Sequence, residues 1–288
     1  MDYKCDRTLG LVLDLAKTVW KTNVSIVTGC TDGIGRAYTL ELAARGVNKF
    51  MLVARNAEKL VKLSQSIYHI QPKALVDCFV IDLLHPDWRS FALALQDGRR
   101  QIGILVNCAG LSVPYAANFA DYDSNLATNI VKVNVEATTR LIEMILPRMV
   151  SSRSGAIVNV SSVTGLFPAR WCSAYASTKA YVHHLSEALA NEYSDLGIRV
   201  QCLTPGWVST KMVRSIANDG FFHVNANNYA RQAVDQLLHS ALVSQTGCFA
   251  HDVMLALVSI CPTWTAEYLG ISATYWAPGK PHKRDKGQ

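Results

Sequence analysis

The sequence predicts a single α/β domain, doubly wound around a parallel sheet of about seven strands. Short apolar runs rich in β-branched residues alternate with longer stretches of helical periodicity. The first of these runs passes through a glycine-rich turn directly into a helical stretch. No Pro/Gly/Ser-rich linker divides the 288 residues.

The expected strands are Asn23–Thr28, Lys49–Ala54, Leu75–Ile81, Ile102–Asn107, Ala156–Ser161 and Arg199–Leu203. Continuous rather than alternating apolarity suits strands covered by helices on both faces of a parallel sheet. Ile34–Arg45, Asn56–Ile70 and the long Leu126–Val150 read as helices. In Thr178–Tyr193, Ala180, Leu185, Ala188 and Leu189 recur at helical spacing. Residues 1–22 read as an N-terminal extension and 23–247 as the main domain. Residues 211–229, with Met212, Val213, Ile216, Phe221 and Phe222, read as an apolar lid over a substrate. Residues 248–288 read as an apolar segment followed by a basic tail.

Composition narrows the function classes. Half the residues are hydrophobic and 17% are charged, which supports a large core and excludes a disordered chain. The net charge of +6 is scattered, apart from Arg99–Arg100 and the tail residues His282, Lys283, Arg284 and Lys286. No basic face with aromatic platforms emerges, so no nucleic-acid partner is expected. The eight cysteines lack C-x-x-C spacing and several lie in apolar runs, which implies a reducing, intracellular setting without a disulfide framework. The sequons Asn23-Val24-Ser25 and Asn159-Val160-Ser161 fall within expected strands and read as chance matches. The stretch Leu9–Leu15, preceded by mixed charges and broken by Asp14, does not read as a signal peptide. No run of 18 apolar residues suggests a spanning helix. Cys248 to Trp276, interrupted by His251, Asp252, Pro262 and Glu267, reads as a packed C-terminal element or as a peripheral membrane contact through Trp264, Tyr268, Tyr275 and Trp276.

Two constellations carry chemistry. The first strand runs into Thr28-Gly29-Cys30-Thr31-Asp32-Gly33-Ile34-Gly35 and then a helix. Backbone N–H groups at a helix N-terminus favour a pyrophosphate, and glycines let the backbone approach it. Gly29, Thr31, Asp32, Gly33, Ile34 and Gly35 are therefore the expected dinucleotide cradle. Sites that prefer NAD place a carboxylate after the second strand, but here Arg55 stands there. A guanidinium pairs with a 2′-phosphate that a carboxylate would repel, so the expected cofactor is NADP(H), with Arg36 adding to the positive field.

The second constellation is Ser162, Tyr175 and Lys179. Ser162 ends the fifth strand, thirteen residues before Tyr175, and Lys179 lies four residues after it on the same helix face. A phenol, with an ordinary pKa of about 10, is a poor base at neutral pH, but a neighbouring ammonium favours its phenolate. The expected roles are proton exchange at the substrate oxygen by Tyr175 and stabilisation of that oxygen by Ser162. Lys179 would also hold the ribose hydroxyls. Alternation along the strand directs Ser161 the opposite way. His183 and His184 are adjacent on the helix, diverge, and have no suitably spaced carboxylate, so no metal site is expected.

From Asn23 onward the chain resembles the short-chain dehydrogenase/reductase family, whose T-G-x-x-x-G-I-G, N-N-A-G, Y-x-x-x-K and P-G-x-V-x-T elements all have counterparts. The resemblance implies a Rossmann-type fold and carbonyl–alcohol interconversion. It makes Asn134, in Lys132-Val133-Asn134-Val135, a fourth catalytic residue that kinks its helix and holds a water. It assigns Asp82 to the adenine, and Asn107, Ala109 and Gly110 to the cofactor, with Cys108 replacing the second asparagine of N-N-A-G. Pro205, Gly206, Val208 and Thr210 would meet the nicotinamide carboxamide. It also implies a homodimer through the helices after the fourth and fifth strands.

Within the family, Ile102-Gly-Ile-Leu-Val-Asn107 and Gly155-Ala-Ile-Val-Asn-Val-Ser-Ser162 look most like the 17β-hydroxysteroid dehydrogenase and very-long-chain 3-oxoacyl-CoA reductase branch. That implies a lipid-like substrate, steroid or 3-oxoacyl thioester, and an endoplasmic-reticulum or cytoplasmic location. The chain departs from the branch in showing no N-terminal membrane helix and in retaining Gly206, which the branch often replaces. The alternative of an NADP(H)-binding sensor or scaffold without turnover would be favoured by loss of the tyrosine or lysine, and both are present. A reductase of small xenobiotic carbonyls would differ only in the lid.

Overall fold

The computed structural model describes residues 23–96, 101–213 and 220–260. Its centre is a parallel seven-stranded sheet of order β3-β2-β1-β4-β5-β6-β9. The strands are β1 (Val24–Thr28), β2 (Lys49–Ala54), β3 (Leu75–Val80), β4 (Ile102–Asn107), β5 (Gly155–Val160), β6 (Ile198–Leu203) and β9 (Ser244–Gln245). A separate parallel pair joins β7 (Trp207–Ser209) to β8 (His223–Asn225). Strand order reverses direction beside β1, where β1 pairs with both β2 and β4. Such a switch point leaves a crevice at the carboxyl ends of the strands.

Side-chain alternation builds two cores. Val27, Leu52, Val106 and Val158 face one layer, where Tyr38, Leu63 and Val234 pack from α1 (Gly33–Ala44), α2 (Ala57–Ile70) and α7 (Ala226–His239). Ile26, Met51, Leu105 and Ile157 face the other, against Phe91, Ile145 and Leu189 from α3 (Trp88–Leu95), α5 (Ala137–Ser152) and α6 (Ser173–Tyr193). Burying apolar strand faces on both sides is worth about 25 cal/mol per Å², which is why these runs contain so few polar residues. β3 is the exception. It is one of the two sheet edges, and Leu75 and Val80 are 65% and 58% exposed.

The helix expected over 126–150 is interrupted. α4 (Leu126–Val131) passes through a π-helical turn, Lys132–Glu136, before α5 begins. Residues 223–229 of the expected lid form β8 and the start of α7, where Tyr229 is fully buried. The first part of the C-terminal segment is a helix, α8 (Phe249–Ser259), whose His251 and Met254 are buried. Residues 1–22, 97–100, 214–219 and 261–288, with Arg99, Arg100, Ile216 and the basic tail, lie outside the described residues. Among the described residues all cysteines are free, and no helix is long and apolar enough to cross a membrane. Both sequon asparagines, Asn23 and Asn159, are buried.

Candidate active site

The glycine loop is shaped by contacts that leave no space for side chains. Gly29 has φ 62°, and a Cβ there would lie 2.7 Å from the Ala109 backbone. A Cβ on Gly35 would sit 2.4 Å from the Gly29 carbonyl oxygen. The loop therefore folds flat on the turn after β4. Thr28 Oγ1 fastens the two together by accepting from the N–H groups of Cys108 and Ala109, both at 3.2 Å. The flat turn in front of the α1 N-terminus has the form that could receive a pyrophosphate.

Asp32 caps α1 by accepting from Gly33 N–H. Its carboxylate also pairs with Lys59 of α2 at 2.9 Å and Lys211 at 2.6 Å. Burial by itself would raise the Asp32 carboxyl, but the hydrogen bonds from Lys211 and Lys59 outweigh it and hold the group below the usual range. Thr210 lies against Gly33, its Cγ2 2.8 Å from where a Cβ would stand. Thr31 and Ile34 are half-buried in the loop. Arg55 and Arg36 are exposed beside it, and Asn56 caps α2 after Arg55. Asp82 is exposed at the end of β3, where Oδ1 accepts from Leu84 N–H. Asn107 is turned into the sheet, its Nδ2 donating to Asn159 Oδ1 at 2.9 Å. Val208 packs in the core, and Pro205 accepts from Val163 N–H.

The reacting end lies at the carboxyl edges of β4 and β5. Ser162, Tyr175, Lys179 and Asn134 are all buried there. Ser162 Oγ accepts from Thr164 N–H at 3.2 Å and Thr164 Oγ1 at 3.0 Å. Those two contacts occupy its lone pairs and leave its own O–H to donate elsewhere. Lys179 donates from Nζ to the Val160 carbonyl at 2.8 Å, and Nζ stands 5.6 Å from the Tyr175 ring centroid. Burial brings the Lys179 ammonium down to about 8, since a low-dielectric site disfavours the charged form.

Asn134 sits in the π turn. Its Oδ1 accepts from Leu111 N–H at 2.7 Å, while Nδ2 donates to Leu111 O and Thr178 Oγ1, each at 2.9 Å. The wide turn is what aims this side chain inward. Gly110 completes the convergence, because a Cβ there would lie 3.6 Å from both Asn134 Oδ1 and Lys179 Nζ. Cys108 lies just under Gly35, and burial pushes its thiol up to about 11, so it is an unreactive packing group.

Ser161 points away from Ser162 and donates to the Lys179 carbonyl at 2.6 Å. His183 Nε2 meets Ser244 Oγ at 2.8 Å, anchoring β9. Glu187, one turn along, is 3.6 Å from His183, so a spaced carboxylate does exist, contrary to the sequence reading. Sequence reasoning missed Lys59, Lys211, Thr164 and Thr178. Lys59 had a signal, since it stands three residues after the capping Asn56 and so lies in the first turn of α2. The others become visible only once the chain is folded.

The family model for short chain dehydrogenases matches residues 23–220, which include both constellations. The chain belongs to the short-chain dehydrogenases. This short-chain dehydrogenase is 38% identical over 246 residues to chicken (Gallus gallus) hydroxysteroid dehydrogenase-like protein 1, covering 83% of this chain and 72% of that protein. It is 34% identical over 264 residues to a human (Homo sapiens) protein named inactive hydroxysteroid dehydrogenase-like protein 1, covering 89% of this chain and 77% of that one. The very-long-chain 3-oxoacyl-CoA reductase of a duck (Anas platyrhynchos) is 33% identical over 256 residues, covering 85% and 78%. Among solved structures, a short-chain dehydrogenase from Sphingobium yanoikuyae in complex with NADPH superposes with TM-score 0.70 at 27% identity, covering 83% of this chain and 96% of that one. As a member of this family the protein is an oxidoreductase acting on CH–OH groups.

Proposed function

We propose that this dehydrogenase interconverts a ketone and a secondary alcohol on a lipid-like substrate, a steroid or a 3-oxoacyl thioester, using NADP(H). The observation that carries the reading is the convergence of Ser162, Tyr175, Lys179 and Asn134 at one sheet edge, beside a glycine cradle with no space for side chains. Arg55, exposed at the end of β2, supports NADP(H) over NAD(H). The NADPH complex of the Sphingobium yanoikuyae structure supports the same choice.

When bound, the nicotinamide supplies or accepts the hydride. In the reducing direction the Ser162 O–H donates to the substrate carbonyl oxygen and stabilises charge as it develops. Tyr175 passes its phenolic proton to that oxygen as the hydride reaches the carbonyl carbon, giving the alcohol. The Lys179 ammonium beside the ring stabilises the phenolate left behind. Asn134, held by Leu111 and Thr178, shapes the water path that returns a proton to Tyr175.

The substrate class rests on the hydroxysteroid dehydrogenase-like and 3-oxoacyl-CoA reductase relatives. Membrane contact is proposed for α8 and the residue after it, where Phe249, Leu257 and Ile260 are exposed. A homodimer is proposed through α5 and α6, with exposed Tyr181 hydrogen-bonded to Thr139 at the outer face. The buried free cysteines support an intracellular setting, at the cytosolic face of the endoplasmic reticulum or in the cytoplasm. The human relative named as inactive supports a second reading, an NADP(H)-binding sensor or scaffold.

One experiment separates the two. NADPH oxidation by the purified protein is followed with a ketosteroid, a 3-oxoacyl-CoA and a small diketone, beside Tyr175→Phe. Turnover with one lipid-like ketone, lost by at least about a hundredfold in Tyr175→Phe, establishes the dehydrogenase. Tight NADPH binding with wild type and variant equally inert on all three transfers the assignment to the sensor.

A further inference from the structure

His251 lies outside every motif of the family pattern, yet it is fully buried against the Pro205–Thr210 loop. It comes from the first turn of α8 and reaches three backbone groups on two other segments. Nδ1 accepts from Gly206 N–H at 3.2 Å, and Nε2 lies 3.2 Å from both the Trp207 and the Phe222 carbonyl oxygens. An N–H can only donate to Nδ1, so the ring is neutral with its proton on Nε2, shared between the two carbonyls. Trp207 opens β7 and Phe222 immediately precedes β8, so one imidazole closes the base of that strand pair. The fit is close. A Cβ on Gly206 would lie 2.5 Å from Met254 Cε and 3.0 Å from His251 Cδ2.

We infer that His251 is a positioning residue that fixes the Gly206–Trp207 backbone, and through it the placement of the nicotinamide. The inference rests on the cofactor reading given under Proposed function. Only the neutral ring can do this, because a proton on Nδ1 would oppose the Gly206 N–H, donor against donor. The surroundings favour that state. Burial pushes the ring below the usual histidine range, and His223 on β8 pushes it the same way. The Phe222 and Trp207 carbonyls and Asp252 pull upward. The Asp252 carboxylate is turned to Thr246 Oγ1, 2.6 Å away, and Tyr229 of α7 presents its ring at 5.9 Å.

The test compares His251→Leu with His251→Asn in the full-length protein. Asparagine places an acceptor oxygen where Nδ1 stands, whereas leucine fills the space without one. Three readouts are taken: NADPH affinity by fluorescence, amide exchange at Gly206, and a long-range proton–nitrogen spectrum of the wild-type imidazole. Expected are an unprotonated Nδ1 in the wild type, and a roughly tenfold weaker NADPH affinity with faster Gly206 exchange in the leucine variant. The asparagine variant should restore both to within about threefold of wild type. Two variants that keep wild-type affinity and Gly206 protection would overturn the inference. So would equal losses in both, with exchange following global unfolding alone, because that is a packing role. Failure of the wild type to bind NADPH would sink the cofactor reading, while Gly206 exchange still decides whether His251 holds the loop.

Discussion

Lys179→Met separates the cost of the site from its use. Lys179 is 5% exposed, and burial lowers its ammonium from the usual 10.5 to about 8. That difference corresponds to roughly 3 kcal/mol of unfavourable charge burial at neutral pH. Methionine fills a similar volume without the charge but loses the bond to Val160 O, worth about 1 kcal/mol. The variant should therefore be about 2 kcal/mol more stable than wild type at pH 7, while catalysis is abolished. The pH dependence carries the proof. Below pH 8 both folded and unfolded Lys179 are protonated and the full cost is present. Between about 8 and 10.5 the unfolded chain holds a proton the folded chain has released, so wild-type stability rises with pH relative to the variant. Urea denaturation of both proteins at pH 7, 8.5 and 10 measures this. An advantage of the variant that stays the same across the series would refute the charge-burial argument. A less stable variant at pH 7 would show that the Val160 bond outweighs it.

Gly35→Ala puts a methyl 2.4 Å from the Gly29 carbonyl, so the loop must shift. NADPH affinity should fall at least tenfold in a fluorescence titration while the protein stays folded. Asn134→Ala leaves the Leu111 N–H and carbonyl and Thr178 without this partner, and should cost about 2 kcal/mol in denaturant midpoint together with most of kcat. Arg55→Asp should invert the ratio of kcat/KM for NADPH over NADH by about a hundredfold or more, as repulsion replaces attraction at the 2′-phosphate. Asp32→Ala frees Lys59 and Lys211 together, and the salt dependence of NADPH binding should steepen as two unpaired cations face the phosphates.

The strands were legible because burial on both faces writes itself as an apolar run. β1, β2, β4, β5 and β6 lie within one residue of expectation. β3 was found by the same signal, yet it is an exposed edge, because residue type does not tell which strand is outermost. β9 is two residues long and carries no periodicity at all. The helix over 126–150 read as continuous because a π turn changes only the hydrogen-bond step, which leaves apolar spacing almost intact. Ser162, Tyr175 and Lys179 were legible because a strand end and a helical turn fix their spacing locally. Thr164, Lys211 and His251 were not, since each acts through a partner brought close only by the fold.

The partners the sequence concealed share one physical task. Each functional group has more hydrogen-bonding capacity than the chemistry needs, and the scaffold occupies the surplus. Thr164 takes the lone pairs of Ser162, so that its O–H is left to donate. Val160 takes one proton of the Lys179 ammonium and leaves two, which the proposed mechanism would use at the phenol and the cofactor. Leu111 and Thr178 hold both ends of the Asn134 amide, which rules out a flipped side chain. His251 takes the Gly206 N–H and sets the peptide plane of the loop by the same means. A site built this way has few alternative hydrogen-bond states, so little reorganisation remains when charge moves to the substrate oxygen. The same occupancy explains why a buried ammonium is tolerated. Its cost is borne by the two apolar layers, and removing it should yield a firmer protein that no longer turns over.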